Sequence, residues 1–229
     1  MQAVDRLVIA LDLSVRDDIL RAVDELHGAA GTFKIGLQAF IANGPGIVRE
    51  IVARGDRVFL DLKIHDIPNT AKHAVAEAVF LGASFVTVHA AGGEAMLSAC
   101  AESQRNAIVL GVTILTSLDE SDLPRIGFSG DVPSNAIRLA RLVQSAGLRG
   151  VVASPREIAA LREACGPDLV ILTPGIRLAG GDAGDQRRTM TAAEAIRAGA
   201  DYIVVGRPIT AAPDRRAAAT QIIEEISAV

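Results

Sequence analysis

Half of the 229 residues are hydrophobic and only 3% are aromatic, so residues 1–229 can build an aliphatic core for one barrel-sized domain. A formal charge of −4 and a pI near 5.6 exclude a general nucleic-acid binder, and two cysteines, Cys100 and Cys165, are too few and too separated for a disulfide framework or a zinc site. No apolar run of about 18 residues is available to cross a membrane and no basic, apolar leader precedes Leu7, so a cytoplasmic protein without membrane or nucleic-acid partners is expected.

In chain order, the β-branched run at 7–11 predicts a strand and the amphipathic stretch at 14–26 a helix. The pattern then repeats. Further strands are expected at 32–35, 58–62, 85–89, 107–113, 150–153, 169–173 and 202–205. Helices are expected at 45–54, 70–81, 94–103, 134–146, 156–165, 192–198 and 215–226, with both cysteines buried on helices as small apolar residues. Gly28, Gly55, Gly82, Gly147 and Gly199 each follow a helical pattern at a capping position.

Strict alternation of strand and helix implies right-handed βαβ units around a parallel sheet, and eight such units close as a (β/α)8 TIM barrel. A doubly wound sheet competes, but Leu11 is followed by Asp12-Leu13-Ser14 rather than by a glycine-rich phosphate turn. Two connections are long, 116–133 and 174–190. The second carries Gly175, Gly180, Gly181 and Gly184 with arginines and Gln186, and reads either as a lid over a charged ligand or as a solvated surface loop.

Active sites of such barrels lie at the C-terminal strand ends. Those ends read Asp12, Lys34, Asp61 with Lys63, His89, Thr116 just beyond the fifth strand, and Gly206-Arg207 after the eighth. Side chains alternate along a strand, so Asp61 and Lys63 share one face while Leu60 and Leu62 share the other. Burying two ions is costly unless they pair or do chemistry, and Asp66 just beyond the strand favours chemistry over a structural ion pair. Lys34 interrupts an apolar strand, where it either snorkels to the rim or joins the site. His89 alone reads more simply as a hydrogen-bonded core histidine. Gly206 and Arg207, with the Arg177- and Gln186-bearing loop, fit a phosphorylated ligand. His27, His65, His73 and His89 show no metal spacing, and Lys63 between Asp61 and Asp66 already supplies the countercharge a Mg²⁺ ion would bring.

The segment Asp61-Leu-Lys-Ile-His-Asp66-Ile67-Pro-Asn-Thr70 resembles the signature of the bacterial-type orotidine 5'-phosphate decarboxylases. The resemblance runs along nearly the whole chain, through Ile-Ala-Leu-Asp12, Phe-Lys34-Ile-Gly, Val-Thr-Ile-Leu-Thr116-Ser, Thr-Pro-Gly-Ile-Arg177, Gly-Asp-Gln186-Arg-Arg and Val-Gly206-Arg207-Pro-Ile. It implies cofactor-free, metal-free decarboxylation of orotidine 5'-monophosphate to uridine 5'-monophosphate. It further implies a charge array of Lys34, Asp61 and Lys63, completed by Asp66 from the second subunit of a homodimer, with Lys63 as proton donor. Asp12 and Lys34 would hold the ribose and Thr116 the pyrimidine, while Arg177, Gln186, Gly206 and Arg207 would hold the phosphate. Ile67 and Thr70 are implied as further substrate contacts. The Asp-x-Lys-x-x-Asp core is shared with Mg²⁺-dependent phosphosugar enzymes, which form the alternative on this scaffold; a non-catalytic phosphoribosyl binder is the alternative outside enzymes.

Overall fold

The period-two pattern of the strands sorts their apolar side chains into two cores. In the computed structural model, which describes residues 1–176 and 190–229, eight parallel strands close in sequence order. They are β1 (Leu7–Ala10), β2 (Thr32–Gly36), β3 (Val58–Ile64), β4 (Phe85–His89), β5 (Ile108–Val112), β6 (Gly150–Val152), β7 (Val170–Thr173) and β8 (Tyr202–Val205). Pairing of Val8 with Val204 and of Ile9 with Val205 shuts the barrel between β1 and β8. This is the expected (β/α)8 architecture.

Leu7, Ile9 and Leu11 point outward into the layer between sheet and helices, whereas Val8 and Ala10 point inward. The interior is filled by Phe59, Phe85, Leu110, Leu172, Tyr202 and Val204 with those two. Phe85 meets Phe59 edge-on at 6.0 Å and Tyr202 edge-on at 5.0 Å, so aromatic rings occupy the lower interior. Gly150 is the counterpart of those large residues, since a Cβ there would sit 2.5 Å from the Val170 carbonyl oxygen. Filling the lower barrel with carbon leaves the C-terminal mouth as the place where inward positions can be charged.

The outer helices span Arg16–Leu26, Gly46–Ala53, Pro68–Phe80, Glu94–Ala101, Val132–Ser145, Ile158–Cys165, Ala192–Ala198 and Arg215–Ser227. The five capping glycines all adopt positive φ, from 75° at Gly28 to 109° at Gly199, as helix-ending positions require. Cys100 and Cys165 are free and buried. No described helix is long and apolar enough to cross a membrane.

Several boundaries differ from the expected ones for identifiable reasons. Two helices begin earlier than expected because proline is tolerated in the first turn, where its missing N–H has no partner to lose. Pro68 opens Pro68–Phe80, two residues before the expected start at Thr70. Asp131 caps Val132–Ser145 by accepting the Ser134 N–H at 2.7 Å, with Pro133 just inside. β3 runs two residues past Leu62, across a bulge described below. Short helices at Ala3–Arg6, Leu37–Asn43 and Arg207–Thr210 were not foreseen. Each is shorter than the window of about 11 residues over which helical periodicity can be read.

The packing at Gly150 gives a direct test. Gly150→Ala drives a methyl into the Val170 backbone, which cannot swing aside, and overpacking of this kind costs about 1–3 kcal/mol. Urea unfolding should show a lower midpoint with an unchanged slope. An unshifted midpoint contradicts the interior packing described here.

Candidate active site

The site grows out of an irregularity in β3. Its ladder with β4 pairs Leu60 with Val86, then resumes at Ile64 with Val88, so Asp61, Leu62 and Lys63 stand opposite Thr87 alone. Lys63 takes φ 52° within this bulge, a left-handed conformation that costs a lysine about 1–2 kcal/mol. Its backbone N–H donates to Thr87 Oγ1 at 2.9 Å. The Thr87 hydroxyl in turn donates to Asp61 Oδ1 at 2.9 Å.

Asp61 is the centre of the arrangement. Lys63 Nζ donates to both its carboxylate oxygens, at 2.9 and 3.0 Å, and Lys34 Nζ lies 3.6 Å from Oδ2. Lys34 also donates to Asp12 Oδ1 at 3.0 Å, which links the ends of β1, β2 and β3 in one ionic chain. Only 13% of the Asp61 side chain and 12% of the Lys34 side chain are exposed, so neither ion is left to water. Burial pushes the Asp61 carboxyl up, but the charges of Lys34 and Lys63 and hydrogen bonds from Lys63 and Thr87 outweigh it and hold it below its ordinary range. The result is a carboxylate ionised at neutral pH beside two cations.

These groups line a cavity of about 310 Å³ at the C-terminal mouth. Asp12, Lys34, Asp61, Lys63, Thr116, Gly206 and Arg207 all contribute to its wall, so seven of the residues selected from the sequence converge. Phe59, Val112, Val152, Leu172 and Val204 form its apolar floor. A side chain at 206 would meet the Ala10 methyl at an ordinary 3.6 Å, so crowding from the described residues does not by itself demand glycine there.

Asp66, Ile67 and Thr70 are exposed and lie outside the cavity lining of their own barrel. The Asp66 carboxylate accepts the Ile67 N–H at 2.7 Å. Arg177, Gln186 and most of the connection read as a lid fall outside the described residues; its ends, Ile176 and Met190, join in a parallel bridge. Among the described residues, no cluster of three or more His, Cys, Asp or Glu has the geometry to hold a metal ion.

His89 does not match the reading as a hydrogen-bonded core histidine. It sits half-buried at the end of β4, its ring 5.4 Å from that of His65 and without a hydrogen-bond partner among the described residues. Burial, then the neighbouring His65 and Lys63, push its pKa down, and Asp61 only partly opposes them.

Two residues at the site escaped the sequence reading. Thr87 lies two positions before His89 on the same strand face, a periodic signal that was available. Gly36 lies two positions after Lys34, and a Cβ there would sit 2.9 Å from Lys34 Nζ and 3.2 Å from Asp12 Oδ1. Glycine makes room for that ion pair, a reason visible only once the chain is folded.

A closed parallel barrel with lysines and aspartates gathered at its C-terminal mouth is the architecture of a (β/α)8-barrel enzyme. The chain belongs to the orotidine 5'-phosphate decarboxylase / HUMPS family, whose model matches residues 5–222. It is 52% identical to the orotidine 5'-phosphate decarboxylase of Moorella thermoacetica, over 100% of this chain and 95% of that protein. Against the protein of the same name from Geobacter sulfurreducens the identity is 47%, covering 99% and 98%. The crystal structure of orotidine 5'-phosphate decarboxylase from Lactobacillus acidophilus matches with a TM-score of 0.87 at 32% identity, covering 96% of this chain and 98% of that one.

The environment of His89 gives a pH test. An unfolded-chain histidine titrates near ~6.5, and His89 in the fold titrates lower. Between those values the unfolded state binds the extra proton, so stability falls as pH drops through ~6.5 and levels off below the folded pKa. Denaturation from about pH 7.5 to about pH 5 should therefore show a steeper loss for wild type than for His89→Gln. Parallel pH dependences contradict this environment.

Proposed function

We propose that the protein decarboxylates orotidine 5'-monophosphate to uridine 5'-monophosphate and CO2, the last step of de novo pyrimidine synthesis, in the cytoplasm and without a cofactor. Residues 1–229 act as one catalytic domain. The observation that carries the reading is the buried, ionised Asp61 held between Lys34 and Lys63 at the cavity wall, in a chain whose full-length relatives bear the decarboxylase name.

The reaction breaks the bond between C6 and the carboxylate, and the electron pair stays on C6. No conjugated electron sink receives it, so the barrier is electrostatic. In this reading the Lys63 ammonium faces C6, stabilises the developing carbanion and delivers the proton that replaces CO2. A fixed cation at that carbon stabilises the transition state more than the substrate, whose charge lies on the carboxylate. Asp61 lies beside the departing carboxylate. Its repulsion raises the ground state, and its two hydrogen bonds from Lys63 keep that ammonium aimed. Catalysis of difficult reactions of this kind can remove on the order of 20 kcal/mol.

Asp12 and Lys34 hold the ribose hydroxyls and Thr116 contacts the pyrimidine. Gly206 and Arg207, with Arg177 and Gln186, hold the phosphate, and binding energy gained there, remote from C6, is available to lower the barrier at the reacting carbon. Asp66, Ile67 and Thr70 act in the cavity of a second copy within a homodimer. Support for this comes from their exposure away from their own cavity and from apolar Leu37, Ile41 and Ile67, exposed on the connections after β2 and β3 at the mouth.

The first test follows loss of orotidine 5'-monophosphate by ultraviolet absorbance, with and without chelator. Wild type should turn over equally in both, and Lys63→Ala should lose nearly all turnover while still binding uridine 5'-monophosphate. Chelator-sensitive activity on ketose phosphates would move the assignment to the phosphosugar enzymes, and wild-type-like turnover by Lys63→Ala would remove the proton-donor role.

The shared site has its own signature. Lys63→Ala and Asp66→Ala homodimers should both be severely impaired. In a heterodimer one site carries both lesions and the other neither. Statistical subunit exchange should therefore restore about a quarter of wild-type activity per total subunit. If exchange is demonstrated and no activity returns, Asp66 does not act across an interface.

A further inference from the structure

Opposite Asp61, Leu62 and Lys63 the neighbouring strand supplies one residue, Thr87, and its side chain rather than its backbone meets the bulge. Thr87 is fully buried and does not line the cavity. Its hydroxyl is used twice: it accepts the Lys63 N–H at 2.9 Å and donates to Asp61 Oδ1 at 2.9 Å. The same Asp61 oxygen receives Lys63 Nζ at 2.9 Å, so backbone amide, hydroxyl, carboxylate and ammonium close into a loop.

We propose that Thr87 is a positioning residue for the decarboxylation, fixing the left-handed Lys63 backbone and the Asp61 carboxylate together through one hydroxyl. This rests on the functional reading above. The break in register leaves the Lys63 N–H facing a side chain where a regular ladder would supply a carbonyl. An apolar residue at 87 would strand that part-buried N–H and remove one donor from Asp61, and hydrogen bonds left unmade away from water are costly. The loop also constrains rotation of the carboxylate. Oδ1 is held by Thr87 and Lys63, while Oδ2 faces Lys63 at 3.0 Å and Lys34 at 3.6 Å. Each link orients and polarises the next.

The charged and titratable groups around this loop are Lys34 from β2, Lys63 from β3 and His89 from β4, with Asp12 reached from β1 through Lys34 and His65 beside His89. Thr87 is the uncharged member, so its removal changes geometry and hydrogen bonding without changing net charge.

The test compares Thr87→Val, which keeps the shape and removes the hydroxyl, with Thr87→Ser, which keeps the hydroxyl. Thr87→Ala replaces the valine variant if that one does not fold. The hydroxyl-free variant should lose on the order of tenfold to a hundredfold in kcat while its affinity for uridine 5'-monophosphate stays within about twofold, and Thr87→Ser should restore most of the rate. The acid limb of its kcat/KM profile should move to higher pH, because Asp61 loses a donor to its ionised form. Amide exchange at Lys63 should accelerate in the hydroxyl-free variant and remain protected in Thr87→Ser. Wild-type kcat without the hydroxyl, a serine variant as slow as valine, an unmoved acid limb or unchanged Lys63 exchange each overturn the proposal. Wild-type protein inert toward orotidine 5'-monophosphate overturns the functional reading instead, and the exchange measurement still decides whether Thr87 holds Lys63.

Discussion

A carboxylate with 13% of its side chain exposed must be either neutral or heavily compensated, and Asp61 is compensated. Two lysines and a threonine hydroxyl share its two oxygens, and the geometry of the mouth follows from arranging them. Removing one partner from such a pair leaves the other ion buried and unpaired, at a cost of about 3–5 kcal/mol when burial is complete. Each member therefore constrains the rest. Lys34 cannot leave without freeing Asp12 as well, and a Cβ at Gly36 would crowd the tips of both side chains. The mouth behaves as one electrostatic unit spread over four strands.

The barrel supplies the rigidity that this unit needs. Phe59, Phe85 and Tyr202 fill the interior beneath it, and the apolar outer layer packs each strand against its helix. Strand ends held this way move little, so charges placed on them need little reorganisation when a reaction develops charge nearby. Among the described residues, the register of the sheet shifts in β3, where strain at Lys63 is held by hydrogen bonding and ion pairing. Strain at the proposed proton donor is what is expected of a site built for preorganisation, although Arg105, before β5 and away from the cavity, also takes a positive φ of 45°.

The β-branched runs and capping glycines made the barrel legible, because alternation of strand and helix leaves few topologies. Asp12, Lys34, Asp61, Lys63, Thr116, Gly206 and Arg207 were legible for a related reason: charge at the end of an apolar strand has few bland explanations. Period-two alternation put Asp61 and Lys63 on one face, and both do line the cavity, yet Lys63 reaches it through a left-handed bulge that no alternation rule anticipates. Thr87 and Gly36 went unnoticed because each matters through a neighbour's position: one meets a register break between strands, the other leaves space for an ion pair. The helix expected at 70–81 starts instead at Pro68, because proline both turns chains and opens helices, and local sequence alone does not choose between the two.

The central claim is that Asp61 stays ionised inside the barrel because Lys34, Lys63 and Thr87 compensate its burial. Carbon-13 NMR of protein labelled at the aspartate carboxyl, with the Asp61 signal assigned by its loss in Asp61→Asn, measures this directly. The account predicts a chemical shift of an ionised carboxylate through neutral and mildly acidic pH, with titration below the ordinary aspartate value of about 3.9. Titration of Asp61 at or above that value would show that burial wins over the two lysines, and would contradict the account of the site.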